Sequence, residues 1–456
     1  MTSRTDGSVG IWNSRYVWVT IGAIALIFLA AMQSLAVTTV MPVVSADLDG
    51  ERLYAVAFAG TLATSVIGMV AAGAWCDRGG VLAPLSTAVG LFVIGLLIAG
   101  FALTMPVLVA GRLVQGLGTG GQTVALYVVV ARVYPGALHG RVFAAFSAAW
   151  VVPSLIGPFL AGAVTEFLHW RWVFLGVAAL TVVAFAMVVA RLHGLPLHTD
   201  HPATARIAPR LACAVAVAVG ALGLSLAGEL GTWAWAAVAA SVVLIGLAAR
   251  PLLPRGTLRA ARGLPSVVLM RGLIAGALFG AEIYVPYLLI DGYGFSPTWA
   301  GLGLTAAALA WAAAADVQGR FGDRLGNTRI TLVGTALLVA SLVIAAATAM
   351  LGLHPVVLIV GWGLAGGGMG LMYPRLTVLT LAYSTPQNQG FNSSALSISD
   401  AVGSASSIAV MGLVFTALAG TDAGFPAVFG IAVVLALGAL VPGLRLGHAH
   451  EAVPSR

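Results

Sequence analysis

Fourteen apolar runs, most of them near the roughly 20 residues a helix needs to cross a bilayer, follow one another with short polar breaks between. Nothing else in the sequence limits the fold so tightly. In hydrocarbon the backbone must satisfy its own hydrogen bonds, so each run is predicted to be a helix. Only 8% of the 456 residues are charged and 60% are hydrophobic, against about 25% charged in an ordinary soluble domain. The runs cover about 17–45, 53–75, 81–103, 106–132, 141–167 and 172–191, then a shorter pair at 211–228 and 232–249, then 266–290, 298–317, 329–350, 355–381, 391–419 and 425–444. The short pair could instead form a re-entrant hairpin. The first run exceeds the core of a cleavable signal peptide, about 7–15 residues, and is expected to stay.

Arginine sets the expected orientation. Every basic residue is Arg and Lys is absent, so in this membrane chain the net charge of +7 is not a nucleic-acid signal. With the N-terminus in the cytoplasm and sides alternating, the inner loops hold Arg78, Arg132, Arg141, Arg191, Arg210, Arg320, Arg324, Arg329 and Arg445, with Arg250, Arg255, Arg259 and Arg262 in a linker. The outer loops hold only Arg52 and Arg171, beside Asp47, Asp49, Glu51, Glu166, Glu229, Asp291 and Asp422. Both termini are therefore expected on the cytoplasmic side of the cell membrane. Removing the short pair keeps the parity, so a twelve-helix version passes the same test. Cys76 and Cys213 make no disulfide framework.

The chain also repeats itself. GAWCDRGG at 73–80 and GRFGDRLGNTR at 319–329 both read Gly, three residues, Asp-Arg, then Gly two residues after the Arg, about 246 positions apart. Each is expected as a charged loop between apolar runs. Met41-Pro42-Val43 is echoed by Val285-Pro286-Tyr287, and GLGTGG at 116–121 by GGGMG at 366–370, at similar offsets. Runs 1–6 thus map onto runs 9–14 in the same orientation, an established transporter plan with the substrate site between the halves. The expected fold is all-α and integral to the membrane: a six-helix bundle over 1–192, a linker with two extra short helices over 193–265, and a second six-helix bundle with a short tail over 266–456.

These motifs resemble the major facilitator superfamily, and within it the fourteen-helix drug:proton antiporter branch. Gly73, Asp77, Arg78 and Gly80 form the frame of the family's signature turn, but Val81, Leu82 and Pro84 stand where basic residues usually follow. The second copy, with Gly319, Asp323, Arg324, Gly326 and Arg329, is more complete. Arg112-Leu-Val-Gln115-Gly116 looks like the family's intramembrane Arg motif. Pro153, Gly157, Pro158 and Gly162 are similar to the antiporter motif, with Pro153 in place of a leading Gly, and Trp170-Arg171-Trp172 opens the next run as it often does in that branch. The branch commonly carries an Asp nine residues before the first run's Pro; here Gln33 stands there and cannot titrate. If protons drive this chain, another acid carries them.

Glu282 in run 9 is the leading proton-site candidate, on one helix face with Arg271 about 16 Å away at 1.5 Å rise per residue. Asp400 in run 13 and Arg375 in run 12 are expected to pair, because an unpaired charge in lipid is expensive. Arg112 costs about 2.5–3.5 kcal/mol inside a spanning helix; it either faces the cavity, a third candidate in proton coupling beside Glu282 and Asp400, or snorkels to the outer surface. Gln33, Gln115, Tyr284 and Arg375 join Arg112 and Glu282 as candidate cavity and substrate groups. In the charged turns, Asp and Arg can pair with each other and with the ends of neighbouring helices, latching one conformation. The second turn, which keeps Arg329, is expected to carry more of that latching. Pro153, Gly157 and Pro158 predict a kinked, closely packed helix between the halves. Asp316 is expected to be interfacial.

Several chemistries are excluded or disfavoured. No Gly-x4-Gly-Lys loop for ATP can exist without Lys. His193, His198, Asp200 and His201 match no metal-ligand spacing and read as a solvated loop. Neither cofactor nor catalytic constellation is expected. Trp233 and Trp235 suit an interfacial belt. The resemblance implies a monomeric, proton-coupled exporter of small hydrophobic or amphipathic compounds. A dedicated exporter of one lipid or metabolite, with the short pair widening a lateral opening, is the alternative.

Overall fold

The computed structural model describes residues 10–14, 16–50, 53–192, 207–295, 304–418 and 420–446. Among these residues there are helices and turns and no strand. The helices are α1 (Val17–Asp47), α2 (Tyr54–Arg78), α3 (Leu82–Gly100), α4 (Met105–Val133), α5 (Gly136–Ala148), α6 (Val151–Phe167), α7 (Arg171–Leu192), α8 (Ile207–Leu226), α9 (Ala234–Ala249), α10 (Leu264–Glu282), α11 (Tyr284–Asp291), α12 (Thr305–Leu325), α13 (Asn327–Leu351), α14 (Pro355–Ala382), α15 (Gln389–Ala417), α16 (Gly424–Gly438) and α17 (Leu440–Gly443). Proline sits in the first turn of α4, α10 and α14, where its missing N–H costs nothing. Past the end of α13, Gly352 takes φ 61, a left-handed turn that favours glycine.

Twelve spans among the described residues are long and apolar enough to cross a membrane, and a bent pair within 136–167 makes a thirteenth. Run 10 accounts for the difference from fourteen. Its expected start at 298 lies partly outside the described residues, and α12 carries Asp316, Arg320, Asp323 and Arg324 toward its end. The two repeat motifs also differ from expectation. Gly73–Arg78 and Gly319–Leu325 are not loops but the closing turns of α2 and α12, and the chain breaks only at Gly79 and Gly326. Helix formers continue through the charged residues because those turns have already left the apolar stretch.

Two apolar cores organise the helices. One gathers buried residues between Ile11 and Val188, with Leu381 alone added from beyond; the other runs from Val267 to Leu446. The centre of the first is α4, wedged between α2 and α3. A methyl placed on Gly120 would strike the Ser65 carbonyl of α2, so the two backbones touch. Thr64 then donates from α2 to the Leu113 carbonyl at 2.8 Å. In the second core α14 takes the same place between α12 and α13, with Gly366 against the Ala307 backbone. Such small-residue contacts give helices in lipid their close packing.

The short pair packs against the bundle. α8 lies along α2 and reaches α15, and Ala214 and Val217 of α8 share a buried cluster with Val66, Val70 and Ile398.

Candidate functional site

Helix α15 begins at Gln389, and the first amides of any α-helix lack partners within it. Two of these, on Gly390 and Phe391, donate to the carboxylate of Asp77 from the end of α2, at 2.6 Å to Oδ1 and 2.8 Å to Oδ2. Asp77 is 3% exposed, and a carboxylate at a helix N-terminus also meets the positive end of the helix dipole. The approach depends on bare backbone on both sides. A methyl on Gly390 would run into the Gly73 carbonyl, and one on Gly73 into Gly390 and Ser394. Ser394 adds a bond to the Met69 carbonyl at 2.7 Å. Behind the carboxylate, Arg132 of α4 closes the end of α2, donating to the carbonyls of Cys76 at 2.7 Å and Gly79 at 3.0 Å. One helix from each core is thus joined here by a charged hydrogen-bond pair.

The second copy of the motif faces α5. Gly319 lies opposite Gly140, but less tightly: a methyl on Gly140 would come no nearer than 3.6 Å to Gly319. Because α5 starts four residues earlier, at Gly136, the Gly140 amide already belongs to its helical ladder. Arg320 pairs with Asp316 on its own helix at 2.9 Å. Arg324 and Arg329 are exposed, and Gly326 holds φ 79 between α12 and α13. Arg375 donates to Asn327 Oδ1, at 2.8 Å from Nε. The Asp323 side chain lies outside the described residues. Of the two turns, Asp77 is the one whose interhelical bonds fall within the described residues.

The interior charges also rearrange the expected pairs. Asp400 does not pair with Arg375; it accepts from Arg271 Nε at 3.1 Å and from the hydroxyl of Tyr373. The Arg271 guanidinium stacks 3.3 Å from the Tyr373 ring centroid and bonds the Tyr373 carbonyl at 3.1 Å. Arg271 is thus committed to α14 and α15 rather than free to act with Glu282. Glu282 ends α10, just before the break at Ile283, is half-buried, and has neither hydrogen bond nor ion pair among the described residues. Arg112 is 5% exposed and does not snorkel; it donates to the Ala57 carbonyl at 3.2 Å and to Gln115 at 2.8 Å. Gln33 is fully buried with both amide atoms unpartnered. Tyr284, expected at the cavity, is 5% exposed and packs on Phe415 with ring centroids 5.1 Å apart.

The antiporter motif does bend its helix: the segments Gly136–Ser154 and Phe159–Phe167 meet at 47°. Pro153 is buried, Gly157 faces Met32 of α1, and Gly162 faces open space. The Pro158 side chain, like His193, His198, Asp200 and His201, lies outside the described residues. Among the described residues no group of three or more His, Cys, Asp or Glu is placed to hold a metal. Trp233 and Trp235 are exposed, at 73% and 51%.

Sequence reasoning missed the amides of Gly390 and Phe391, since any residue but proline supplies one. It also missed Tyr373 and the capping role of Arg132. For Arg132 a signal existed: it and Arg375 stand at matching places of the repeat, each holding the end of a charged turn.

The chain matches the Major Facilitator Superfamily over residues 23–342. It belongs to that superfamily, and is a multi-pass membrane transporter rather than an enzyme. It is similar to a probable multidrug-efflux transporter of Mycobacterium tuberculosis, 27% identical over 485 aligned positions that cover 99% of this chain and 100% of the relative. The multidrug efflux pump SdrM of Staphylococcus aureus is 24% identical over 80% of this chain and 82% of its own. In fold the chain is similar to a bacterial homologue of the iron transporter ferroportin in an outward-facing state, with a TM-score of 0.71, 12% identity, and coverage of 94% of this chain and 99% of that one. The human organic anion transporter MFSD10 gives 0.67 at 16% identity, over 94% and 99%.

Proposed function

We propose that this protein is a proton-coupled exporter of small hydrophobic or amphipathic compounds, working by alternating access in the cytoplasmic membrane with both termini inside. The observation that carries the reading is the Asp77 latch, which ties α2 of the first helix group to the free end of α15 in the second. Two hydrogen bonds and a helix dipole tie the helices on this face, beside the apolar cluster in which Val66 and Val70 of α2 meet Ile398 of α15. The Arg-rich loops lie on that face, so in this reading the shut side is the cytoplasmic one. The groups 1–192 and 266–456 then rock about the bundle centre, with 193–265 between them.

Glu282 is the proton carrier in this reading. Among the described residues it has no partner, whereas Asp400 is held by Arg271 and Tyr373. Gln33 and the Arg112–Gln115 pair supply the interior hydrogen-bonding groups of the first half. Relatives named for multidrug efflux support the choice of cargo class. The test is efflux of a lipophilic fluorescent dye from proteoliposomes under an imposed pH gradient. Dye should leave faster with the gradient than without it, and Glu282→Gln should fold normally but lose that dependence. Transport indifferent to the gradient would sink the coupling, and a Glu282→Gln variant that stays coupled would move the proton site elsewhere.

A further inference from the structure

The internal repeat leaves α8 and α9 without a role, and one residue of α8 stands beside the latch. The guanidinium of Arg210 lies 4.5 Å from the ring centroid of Phe391. Among the described residues it makes neither hydrogen bond nor ion pair. Phe391 is the residue whose amide donates to Asp77. Arg210 also lies within electrostatic reach of the Asp77 carboxylate. With Leu252 of the linker, it closes a small cavity walled by Val70 and Ala74 of α2 and by Phe391 and Ile398 of α15. Arg210 therefore sits across the seam, on an element that belongs to neither repeat.

We propose that Arg210 is a positioning residue of the latch: by stacking on Phe391 it holds the first turn of α15 with its amides turned to Asp77, and α8 acts as a strap over the α2–α15 seam. A guanidinium over an aromatic face is attracted by the ring quadrupole, more strongly where water is partly excluded. Holding the ring restricts the Phe391 backbone, and the Gly390 amide beside it. The cation also attracts the carboxylate that receives them. A strap anchored on one helix of each group stabilises the shut face selectively, because only the shut face brings Phe391 under Arg210. The proposal rests on reading Asp77 as a latch, and the experiment separates the two.

Hydrogen–deuterium exchange of the full-length protein in nanodiscs reads the latch directly, through the peptide covering 389–394. Asp77→Asn should speed exchange there; if it does not, the latch reading falls and the strap with it. Given that response, Arg210→Ala should speed the same peptide about two- to fivefold, leave 366–370 in α14 unchanged, and be rescued by Arg210→Lys. Phe391→Leu should match Arg210→Ala, and the double variant should add nothing further. The proposal is overturned if Arg210→Ala leaves 389–394 unchanged, if it speeds exchange across the whole bundle alike, or if its effect adds fully to that of Phe391→Leu.

Discussion

The α2–α15 seam and the α5–α12 seam occupy matching places in the two repeats, each crossing at a glycine pair, Gly73 with Gly390 and Gly319 with Gly140. They differ in where the facing helix begins. α15 starts at the crossing, so its first amides are free and Asp77 takes two of them. α5 starts a full turn earlier, so the amide at its crossing is already paired within the helix. One extra helical turn thus separates a crossing whose facing amides are free for a carboxylate from one whose facing amide is already used within its own helix. A repeated motif preserves the shape of a crossing without preserving its chemistry, because the second partner in the bond is backbone whose availability depends on a helix start elsewhere.

Asp77→Asn should break this comparison most severely. Hydrogen bonds to a charged group contribute about 1.5–3 kcal/mol each, so losing the charge should weaken the shut face by roughly 3 kcal/mol and cut transport tenfold or more. Asp323→Asn should cost distinctly less in the same efflux assay; equal or greater loss there would restore the opposite ranking. The glycines give the next largest contrast. Gly390→Ala forces a methyl into the Gly73 carbonyl, and overpacking of this kind costs about 1–3 kcal/mol. Gly140→Ala has room and should leave thermal stability within about 0.5 kcal/mol. Matching losses at the two positions would show that the seams are equally tight. Arg320→Ala should be smallest of all. Its pair with Asp316 is an exposed i,i+4 contact, with side chains 63% and 57% accessible, and such pairs contribute about 0.3–0.5 kcal/mol; a melting temperature lowered by several degrees would mean that Arg320 also works across the seam.

Most of the helices were legible in the sequence because lipid leaves the backbone no choice, and run length reports directly on it. The ends of α2 and α12 were misread as loops for the same reason: hydropathy reports where the apolar stretch stops, not where the helix stops, and both helices continue through Asp-Arg. The interior pairs were misassigned because a sequence places a charge on a helix without saying which neighbour that side meets. Asp400 could reach Arg375 or Arg271 on charge alone, and the ring of Tyr373, which carries Arg271 to it, decides between them. The family and the motif that makes the latch were readable; the partner of the latch was not, since an amide has no letter of its own.

Arg112 and Arg271, two of the three buried arginines among the described residues, impose different timetables on synthesis. When Arg112 enters the membrane its acceptor, the Ala57 carbonyl, is already 55 residues behind it, and Gln115 follows within a turn. Arg271 must wait for Asp400, 129 residues later. At roughly 5–20 residues per second the guanidinium remains without its carboxylate for on the order of ten seconds. The first half can therefore close as it emerges from the ribosome. The second has to hold α10 in an unfinished position until α15 is made, and is the half whose assembly depends most on help from the insertion machinery.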